Sequence, residues 1–312
     1  MRRLPVISLG LVALTLAMAG CKASPQKQGA DTLANDSADS LPAVKSVADT
    51  LGVDSFTYAY YNADSTVQST VYVESPTGSD SLSQAVRAFV AKQLGELYIP
   101  YSYDEEEEAL KKYPRYKGSV DQVQKLVDYY GRGAKAFLAE QRKESTVDGD
   151  GPSVCSNVKI RKVAETSTYL TFSMTGYYEV GGAHGGFTGY DLNFSKLTNK
   201  PILKAIDSSK TRALQKILKK GLESYFKECG DEDFNISSIY AYLDPMGEKG
   251  KNNLIPLPAS TPYLEKDSLC FVYQQYEIAP YAAGEISFNV ALKDIKPYLR
   301  QEVRDLLDKS NE

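Results

Sequence analysis

The sequence contains no tryptophan and a single histidine, His184, among its 312 residues. A two-histidine zinc site or a two-histidine proton relay is therefore impossible within one chain. A Ser-His-Asp or Cys-His triad would have to use His184, because the nucleophile needs a base within hydrogen-bond reach. Tryptophan is the commonest side chain on which sugars stack, and its absence weakens the case for a glycan hydrolase. These absences favour a binding protein over an enzyme.

Basic residues are not in excess either, with 36 Lys and Arg against 40 Asp and Glu and a formal charge of −4. No basic stripe follows the chain, so the phosphate neutralisation on which nucleic-acid binding depends has no obvious source. We therefore expect no nucleic-acid partner. Hydrophobic residues make up 42% of the chain, which is enough to build a folded core.

One long hydrophobic run is present, the 16 residues from Leu4 to Ala19. It is shorter than the roughly 20 residues that a membrane-spanning helix needs. Arg2 and Arg3 precede it and Met18-Ala19-Gly20-Cys21 closes it, which is the layout of a signal peptide with a lipobox. Residues 1–20 are predicted to be removed, and acyl chains on Cys21 are predicted to hold the protein to a membrane. An ordinary signal peptide with an incidental cysteine is the alternative.

The residues after Cys21 predict a place in the cell envelope. Lys22 stands where an aspartate would retain a lipoprotein at the inner membrane, so we expect the outer membrane, with the face left open. Residues 21–49 are rich in Ser, Ala, Asp and Lys without hydrophobic periodicity, and they are predicted to be a disordered tether. At most one disulfide bond can form among the three remaining cysteines, and small buried hydrophobic side chains are the favoured interpretation. These are Cys155, Cys229 and Cys270.

Residues 50–145 are predicted to form an N-terminal α+β lobe that begins with a β-hairpin. Apolar and β-branched residues alternate at 55–61 and again at 66–73, with the turn-forming sequence Asn-Ala-Asp-Ser between them. Two helices follow, each preceded by a serine and a glutamine at capping-box spacing. Those pairs are Ser81 with Gln84 and Ser119 with Gln122. Two glycines are expected to bend or break the second helix near its middle, Gly131 and Gly133.

Residues 155–312 are predicted to form a second lobe that is richer in strands. Strand-like alternation marks four segments, at 170–174, 190–194, 269–278 and 285–292. An amphipathic helix at 214–226 and a C-terminal helix at 299–307 accompany them. Because strands and helices mix without a regular βαβ rhythm, the predicted fold class is α+β, an antiparallel or mixed sheet with packed helices in two sub-lobes. A hinge between the lobes is expected at 147–153.

Two acidic segments raise the question of a metal site. Asp104–Glu108 precedes two lysines, and the pairs Glu107–Lys111 and Glu108–Lys112 have the favourable i,i+4 order of a solvated helix face. Neither this run nor the Asp-Gly-Asp-Gly sequence at 148–151 has the ligand spacing of an EF-hand calcium loop. We therefore predict no metal and no cofactor at these positions.

His184 lies in a glycine-dense loop between two predicted strands. The glycines allow positive φ and close backbone approach, but they match neither a nucleophile elbow nor a phosphate loop. A structural histidine and a contact at a binding surface are both compatible with this position. Two carboxylates lie among tyrosines, Glu179 and Glu277, where an acid with a raised pKa would suit a general acid. A cell-wall glycan hydrolase would use this pair.

Two segments of the chain resemble a known family. The first is YEVGGAHG at 178–185, which runs into YDLNF at 190–194 and LTNK at 197–200. The second is YEIAPYAAG at 276–284, about 90 residues later. Together they resemble the extracytoplasmic domain of unknown function at the C-terminal end of RsiV-like, lysozyme-sensing anti-sigma factors, with Asn199 where that family's turn usually has glycine. The resemblance covers about 155–299 and extends weakly to 56–98, which is similar to a hairpin-and-helix domain that often precedes a peptidoglycan deacetylase.

This resemblance implies an α+β, non-enzymatic, extracytoplasmic binding domain, whose ligand in the sensing relatives is a protein such as lysozyme. We expect neither deacetylase activity nor sigma-factor control, because the metal-binding histidines and a transmembrane helix are not found in this sequence. The leading hypothesis is a lipoprotein that binds a lysozyme-like protein or peptidoglycan. The alternatives are a glycan hydrolase using Glu179 and Glu277, and an assembly or structural factor of the envelope that binds a membrane protein.

The two resembling segments are also predicted to meet in space and form the functional face. Each joins a strand to a sharp bend, and loops held by a rigid sheet are where binding usually resides. The competing hypothesis is that both bends are purely architectural. The predicted binding residues are Glu179, Gly181, Gly182, His184, Gly185, Tyr276, Glu277, Pro280, Tyr281 and Gly284.

Overall fold

A computed structural model describes residues 50–98, 106–145, 151–181, 184–244 and 254–310. The predicted signal peptide at 1–20, the acylated Cys21 and the tether at 21–49 lie outside these residues. No helix within the described ranges is long and apolar enough to cross a membrane.

Six strands form a mixed sheet in the order β1-β2-β3-β4-β5-β6. Their bounds are β1 Val53–Tyr61, β2 Val67–Pro76, β3 Val154–Glu165, β4 Tyr169–Glu179, β5 Gly186–Ser195 and β6 Lys200–Ile202. The β2–β3 pair is parallel and the other neighbouring pairs are antiparallel. The predicted hairpin is confirmed as β1–β2. Because β2 is hydrogen-bonded to β3, the sheet runs on across the expected hinge between the two lobes.

Between β2 and β3 the described residues form three helices: α1 Ser81–Leu97, α2 Glu106–Lys112 and α3 Val123–Ser145. Apolar side chains of α1 and α3 share a core with one face of the sheet. Alternation along β4 and β5 turns Phe172, Met174, Leu192 and Phe194 toward these helices, because every second side chain points to the same face.

Both predicted capping boxes are wrong in detail. Asp80, one residue earlier than predicted, caps α1 with a carboxylate that accepts the Ser83 N–H at 3.0 Å. α3 begins only at Val123, because the Ser119 hydroxyl accepts the Asp121 N–H in a local turn instead. The helix also continues without a break through Gly131. A Cβ added there would lie 2.1 Å from the Tyr58 ring, so this glycine permits close packing on β1.

The acidic run follows the solvated-helix interpretation in part. Lys111 pairs with Glu107 at 3.1 Å, as predicted, and also with Glu108. Lys112 pairs with Glu140 of α3 rather than with Glu108, because α2 packs beside α3. No group of three or more His, Cys, Asp or Glu side chains in the described ranges is placed to hold a metal ion. Parts of both candidate calcium segments, 104–105 and 148–150, lie outside those ranges.

A second, three-stranded antiparallel sheet is formed by β7 Tyr263–Glu265, β8 Ser268–Tyr273 and β9 Ile286–Ala291. It packs with α4 Thr211–Glu228, α5 Ser237–Leu243, α6 Leu292–Ile295 and α7 Gln301–Ser310 around a second core. Buried Asn193 of β5 joins the two sheets, because its side chain accepts the Leu264 N–H at 2.6 Å and donates to the Pro262 carbonyl at 3.1 Å. The predicted α+β class is confirmed. The three described cysteines are unbridged: Cys155 is half-buried, Cys229 exposed and Cys270 buried.

Candidate functional site

The connection between β8 and β9, residues 274–285, begins with a strained turn. The predicted strand at 269–278 is wrong beyond Tyr273, where the chain turns and the Glu277 N–H donates to the Gln274 carbonyl at 3.0 Å. Tyr276 lies within this turn with a φ of 66°. A left-handed backbone is a genuine outlier for a bulky side chain and costs about 1–3 kcal/mol, so the surrounding contacts must hold it.

Glu277 supplies one of those contacts. One carboxylate oxygen accepts the Gln274 N–H at 2.8 Å and the other accepts the Ala259 N–H at 2.6 Å. Both oxygens therefore fix backbone, one within the turn and one in a segment 18 residues away. Glu277, one of the predicted binding residues, therefore positions the loop.

Two glutamines hold the same loop against β5. Gln275 Oε1 accepts the Phe187 N–H at 3.0 Å, and Gln274 Oε1 accepts the Gly189 N–H at 2.8 Å. β6 pairs only with residues 193–195 of β5, so no strand among the described residues lies beside the outer edge of β5 at 187–189. The side-chain amides take the place of a neighbouring strand's carbonyls there, which fixes the β8–β9 loop next to the start of β5.

The loop between β4 and β5 is shaped by its glycines and tyrosines. A Cβ at Gly185 would lie 2.4 Å from the Tyr177 hydroxyl, and one at Gly186 would lie 2.1 Å from the Tyr178 ring. Both rings therefore lie across bare backbone that only glycine provides. Gly181 has a φ of 86°, and the Glu179 carboxylate accepts its N–H at 3.2 Å. Gly182 lies outside the described residues.

The structure brings the two loops together at His184, as the sequence predicts. Its ring stacks on Tyr281 with centroids 3.7 Å apart, and Nε2 lies 3.2 Å from the Tyr276 hydroxyl. Nδ1 lies 3.0 Å from the Gly185 carbonyl, to which the Tyr281 hydroxyl also donates at 2.8 Å. Since a carbonyl only accepts, the proton of the His184–Gly185 contact is assigned to Nδ1.

Most of these rings are open to solvent. Tyr276 is 53% exposed and Tyr177 is 39% exposed, His184 is also exposed, and Tyr281 is half-buried. We call His184, Tyr276, Tyr281 and Tyr177 the aromatic surface. A rigid ring with a hydroxyl at its edge suits recognition of a partner that is partly apolar and partly polar.

The other predicted residues serve the bend itself. Exposed Pro280 precedes the short 3-10 helix Tyr281–Ala283, and its carbonyl accepts the Ala283 N–H at 2.9 Å. Gly284 ends that turn with φ 68° and ψ −156°, a conformation restricted to glycine. The Tyr276 carbonyl accepts from the Tyr242 hydroxyl at 3.0 Å, a contact that the sequence alone did not suggest.

The sequence also gave no sign of a cleft of about 1150 Å³ next to the aromatic surface. The end of α1, α2, the second half of α3 and the ends of β4 and β5 contribute its described lining, with four aromatic rings: Tyr113, Phe137, Tyr177 and Tyr178. Carboxylates and lysines line it as well. Its parts are far apart in sequence, so periodicity within a single element could not reveal it. Tyr177 belongs to both features and makes them contiguous.

A family model described as a protein of unknown function, DUF3298, matches residues 206–293. The match includes the segment at 276–284, while the loop at His184 precedes it. A DUF3298 family protein of Bacteroides fragilis has a similar crystal structure, with a TM-score of 0.54 at 17% identity over 85% of this chain and 99% of that one. A DUF3298 family protein of Pseudomonas aeruginosa gives a TM-score of 0.51 at 11% identity over 82% and 97%. No curated protein matches the chain significantly.

Both crystal structures are similar to this chain in fold. Asn199 has a φ of 56° in the turn between β5 and β6. Asparagine tolerates this left-handed conformation better than most other side chains do, because its short amide can bond locally. This residue is therefore compatible with the turn.

Proposed function

We propose that this chain is a cell-envelope lipoprotein, acylated at Cys21, whose folded body binds a protein or cell-wall ligand through the aromatic surface without catalysis. The observation that carries the proposal is the aromatic surface itself. Two loops about 90 residues apart meet there through a ring stack and two hydrogen bonds, and they leave tyrosine rings exposed.

The use of the carboxylates supports binding over hydrolysis. A glycosidase needs one carboxyl group as an acid and a second as a base or nucleophile, both facing the substrate. Glu277 directs both oxygens at backbone N–H groups, and Glu179 accepts from Gly181 beside it. Neither has the free, desolvated carboxyl group that a general acid requires.

The resemblance to lysozyme-sensing domains makes a lysozyme-like protein the first ligand to test, and the predicted envelope location makes peptidoglycan the second. A protein partner fits the exposed tyrosines, which are enriched at the centres of protein interfaces. The adjoining cleft enlarges the face that either ligand would cover.

The test is binding of the body, residues 50–312, to immobilised hen lysozyme and to purified peptidoglycan. Tyr276→Ala should weaken binding of the true ligand at least about tenfold, since a central tyrosine is worth about 2 kcal/mol or more. Tyr61→Ala is the matched control, because Tyr61 is 56% exposed at the end of β1 and belongs to neither loop. Equal binding by wild type and Tyr276→Ala would remove the aromatic surface from the proposal.

The two alternatives have their own readouts. Release of soluble muropeptides from peptidoglycan, abolished by Glu277→Gln, would replace the proposal with the hydrolase. Failure to bind both ligands, together with in-cell crosslinking from position 276 to one membrane protein, would favour the assembly factor.

Acylation is tested separately by feeding cells a labelled fatty acid. Label should enter the wild-type protein and be lost from Cys21→Ala, because the proposed thioether forms on that sulfur. Label retained by the variant would contradict the lipoprotein assignment while leaving the binding proposal intact.

A further inference from the structure

The contact between the β8–β9 loop and β5 contains an unusual set of buried polar atoms. We call this contact the loop–strand interface, and it consists of Gln274, Gln275 and Glu285 against residues 187–191. A Cβ added at Gly189 would lie 2.6 Å from Glu285 Oε2 and 3.8 Å from Gln274 Nε2, so the bare backbone of this glycine leaves room for both side chains. Asp191 is two residues further along β5, so its side chain points to the same face.

Three atoms of the loop–strand interface have no hydrogen-bond partner among the described residues. They are Asp191 Oδ1, Gln274 Nε2 and Glu285 Oε2, and each is fully shielded from solvent. Burying an unpaired polar atom costs about 1–3 kcal/mol, and burying an ionised carboxylate costs more. Two carboxyl groups in such a position are tolerated far better when they carry protons.

The groups around these carboxyls offer little compensating positive charge. Arg161 of β3 is the cation that acts on Asp191, and the Ser173 hydroxyl of β4 hydrogen-bonds to it. Glu265 of β7 opposes its ionisation, and Asp191 in turn opposes that of Glu285. The remaining titratable neighbours, Tyr263 and Cys270 of the second sheet, have pKa values raised by burial and stay neutral.

We propose that Asp191 and Glu285 form a proton-binding pair that holds the β8–β9 loop against β5 in acid and releases it as the pH rises. Protonation lets the two carboxyl groups stay buried behind the Gln274 and Gln275 contacts. Ionisation of both places like charges in the loop–strand interface and favours its opening to water. Tyr276 and Tyr281 of the aromatic surface lie on the same loop, so the geometry of that surface follows the proton; this consequence rests on the proposed function.

The direction of the pH dependence of loop closure follows from the pKa values of the two carboxyl groups. Burial raises the pKa of Asp191 from 3.8 to about 6, and burial together with the Asp191 charge raises that of Glu285 from 4.5 to about 7. In the open loop both values return toward normal, so the closed state binds more protons between about pH 4 and pH 7. Closure is therefore most stable below pH 4, weakens across that window, and changes little above it.

The experiment is amide hydrogen exchange of the body, residues 50–312, at several pH values with correction for intrinsic exchange rates. The reporters are the Phe187 and Gly189 amides, whose acceptors are the two glutamine side chains. Their protection factors should fall at least about tenfold between pH 4.5 and pH 8, since one pKa unit corresponds to a factor of ten. Amides of Phe172 and Met174 in β4 report global opening and should not follow the same curve.

Variants identify the titrating groups. Asp191→Asn with Glu285→Gln should abolish the local pH dependence and keep the loop closed at pH 8. His184→Gln should retain it, which separates the pair from the one histidine in the chain. Should the double variant fail to fold, Glu285→Gln alone should halve the pH response on a logarithmic scale. A flat wild-type profile, or a response that survives Glu285→Gln and the double variant, overturns the proposal.

The binding proposal and the proton-pair proposal are tested by separate measurements, so either can fail without the other. Lysozyme and peptidoglycan binding measured at pH 5 and pH 8 tests the aromatic surface, while hydrogen exchange tests the loop without any ligand. A pH-dependent loop–strand interface in a protein that binds neither ligand would uphold the proton pair and contradict the proposed function. Ligand binding by a protein whose hydrogen exchange does not depend on pH would uphold the proposed function and contradict the proton pair.

Discussion

The turns at Ser65 and at Tyr276 each hold a non-glycine residue in the left-handed conformation, with φ 57° and φ 66°. The turn at Ser65 joins β1 to β2 and is stabilised by its immediate neighbours. Asn62 Oδ1 accepts the Val67 N–H at 2.7 Å, and Asp64 Oδ1 accepts the Thr66 N–H at 3.2 Å. The side-chain hydrogen bonds described for this turn join residues no more than five positions apart in sequence.

The turn at Tyr276 depends on distant parts of the chain. Its hydroxyl meets His184, 92 residues away, and its carbonyl accepts from Tyr242, 34 residues away. Glu277 ties the same turn to Ala259. A turn that encodes its own geometry is architecture, whereas a strained turn maintained by tertiary contacts, with an exposed ring at its tip, has the features of a site. The following changes test that distinction, beginning with the largest expected effect.

Glu277→Ala should lower the free energy of unfolding by about 2–3 kcal/mol. The change removes two charge-assisted hydrogen bonds to backbone, each worth about 1.5–3 kcal/mol, with part of the loss recovered because the Ala259 contact is exposed. Urea denaturation followed by circular dichroism measures it. Glu277→Gln keeps one acceptor oxygen and should lose about half as much. A loss below 0.5 kcal/mol for Glu277→Ala would contradict the structural role assigned to this carboxylate.

Tyr281→Ala should cost about 2 kcal/mol, because it removes the ring stack on His184 and the hydrogen bond to the Gly185 carbonyl. Tyr281→Phe keeps the stack and should cost only about 1 kcal/mol. Exchange of the 184–187 amides should rise strongly in the alanine variant and slightly in the phenylalanine variant. Equal effects of the two variants would assign the contact to the hydroxyl alone.

Asn62→Ala tests the local turn. It removes the acceptor of the Val67 N–H and the donor to the Thr66 hydroxyl, and it should lower the free energy of unfolding by about 1 kcal/mol. Because the turn is far from His184 in sequence and shares no contact with it, ligand binding should equal that of wild type. Binding measured as for Tyr276→Ala checks this. A parallel loss of binding would show that the two turns are coupled.

The same distinction explains which parts of the fold the sequence predicts. The β1–β2 hairpin and α4 are locally encoded, by alternation around Asn62–Ser65 and by the apolar stripe of Leu214, Leu218 and Leu222. β3 was missed although it lies in the middle of the six-stranded sheet. Its apolar residues alternate with Lys and Arg, and its place is set by parallel pairing with β2 across the intervening helices.

Prediction of the candidate site was limited by the same physics. The proximity of His184 and Tyr281 followed from two recognisable segments, but Tyr242 and the two glutamines contact them only through the folded chain. The buried pair Asp191 and Glu285 was also missed. Asp191 alternates with apolar neighbours on β5 as a solvent-facing residue would, and only the second sheet buries that face.

The smallest effect is expected from a matched pair of glycine substitutions at Ser65 and Tyr276. Ser65→Gly relieves a backbone conformation that costs an L residue about 1–2 kcal/mol. It also raises the conformational entropy of the unfolded chain, which offsets about half of that gain. The local contacts of Asn62 and Asp64 remain, so the free energy of unfolding should rise by about 0.5 kcal/mol. Tyr276→Gly relieves the same conformation but loses the hydroxyl contact with His184, so stability should stay level or fall while ligand binding is lost. Urea midpoints of the two variants measure the difference in sign. An equal gain at both positions would mean that the contacts around Tyr276 do not offset its strain, and the turn would then differ from the hairpin turn only in its exposed ring.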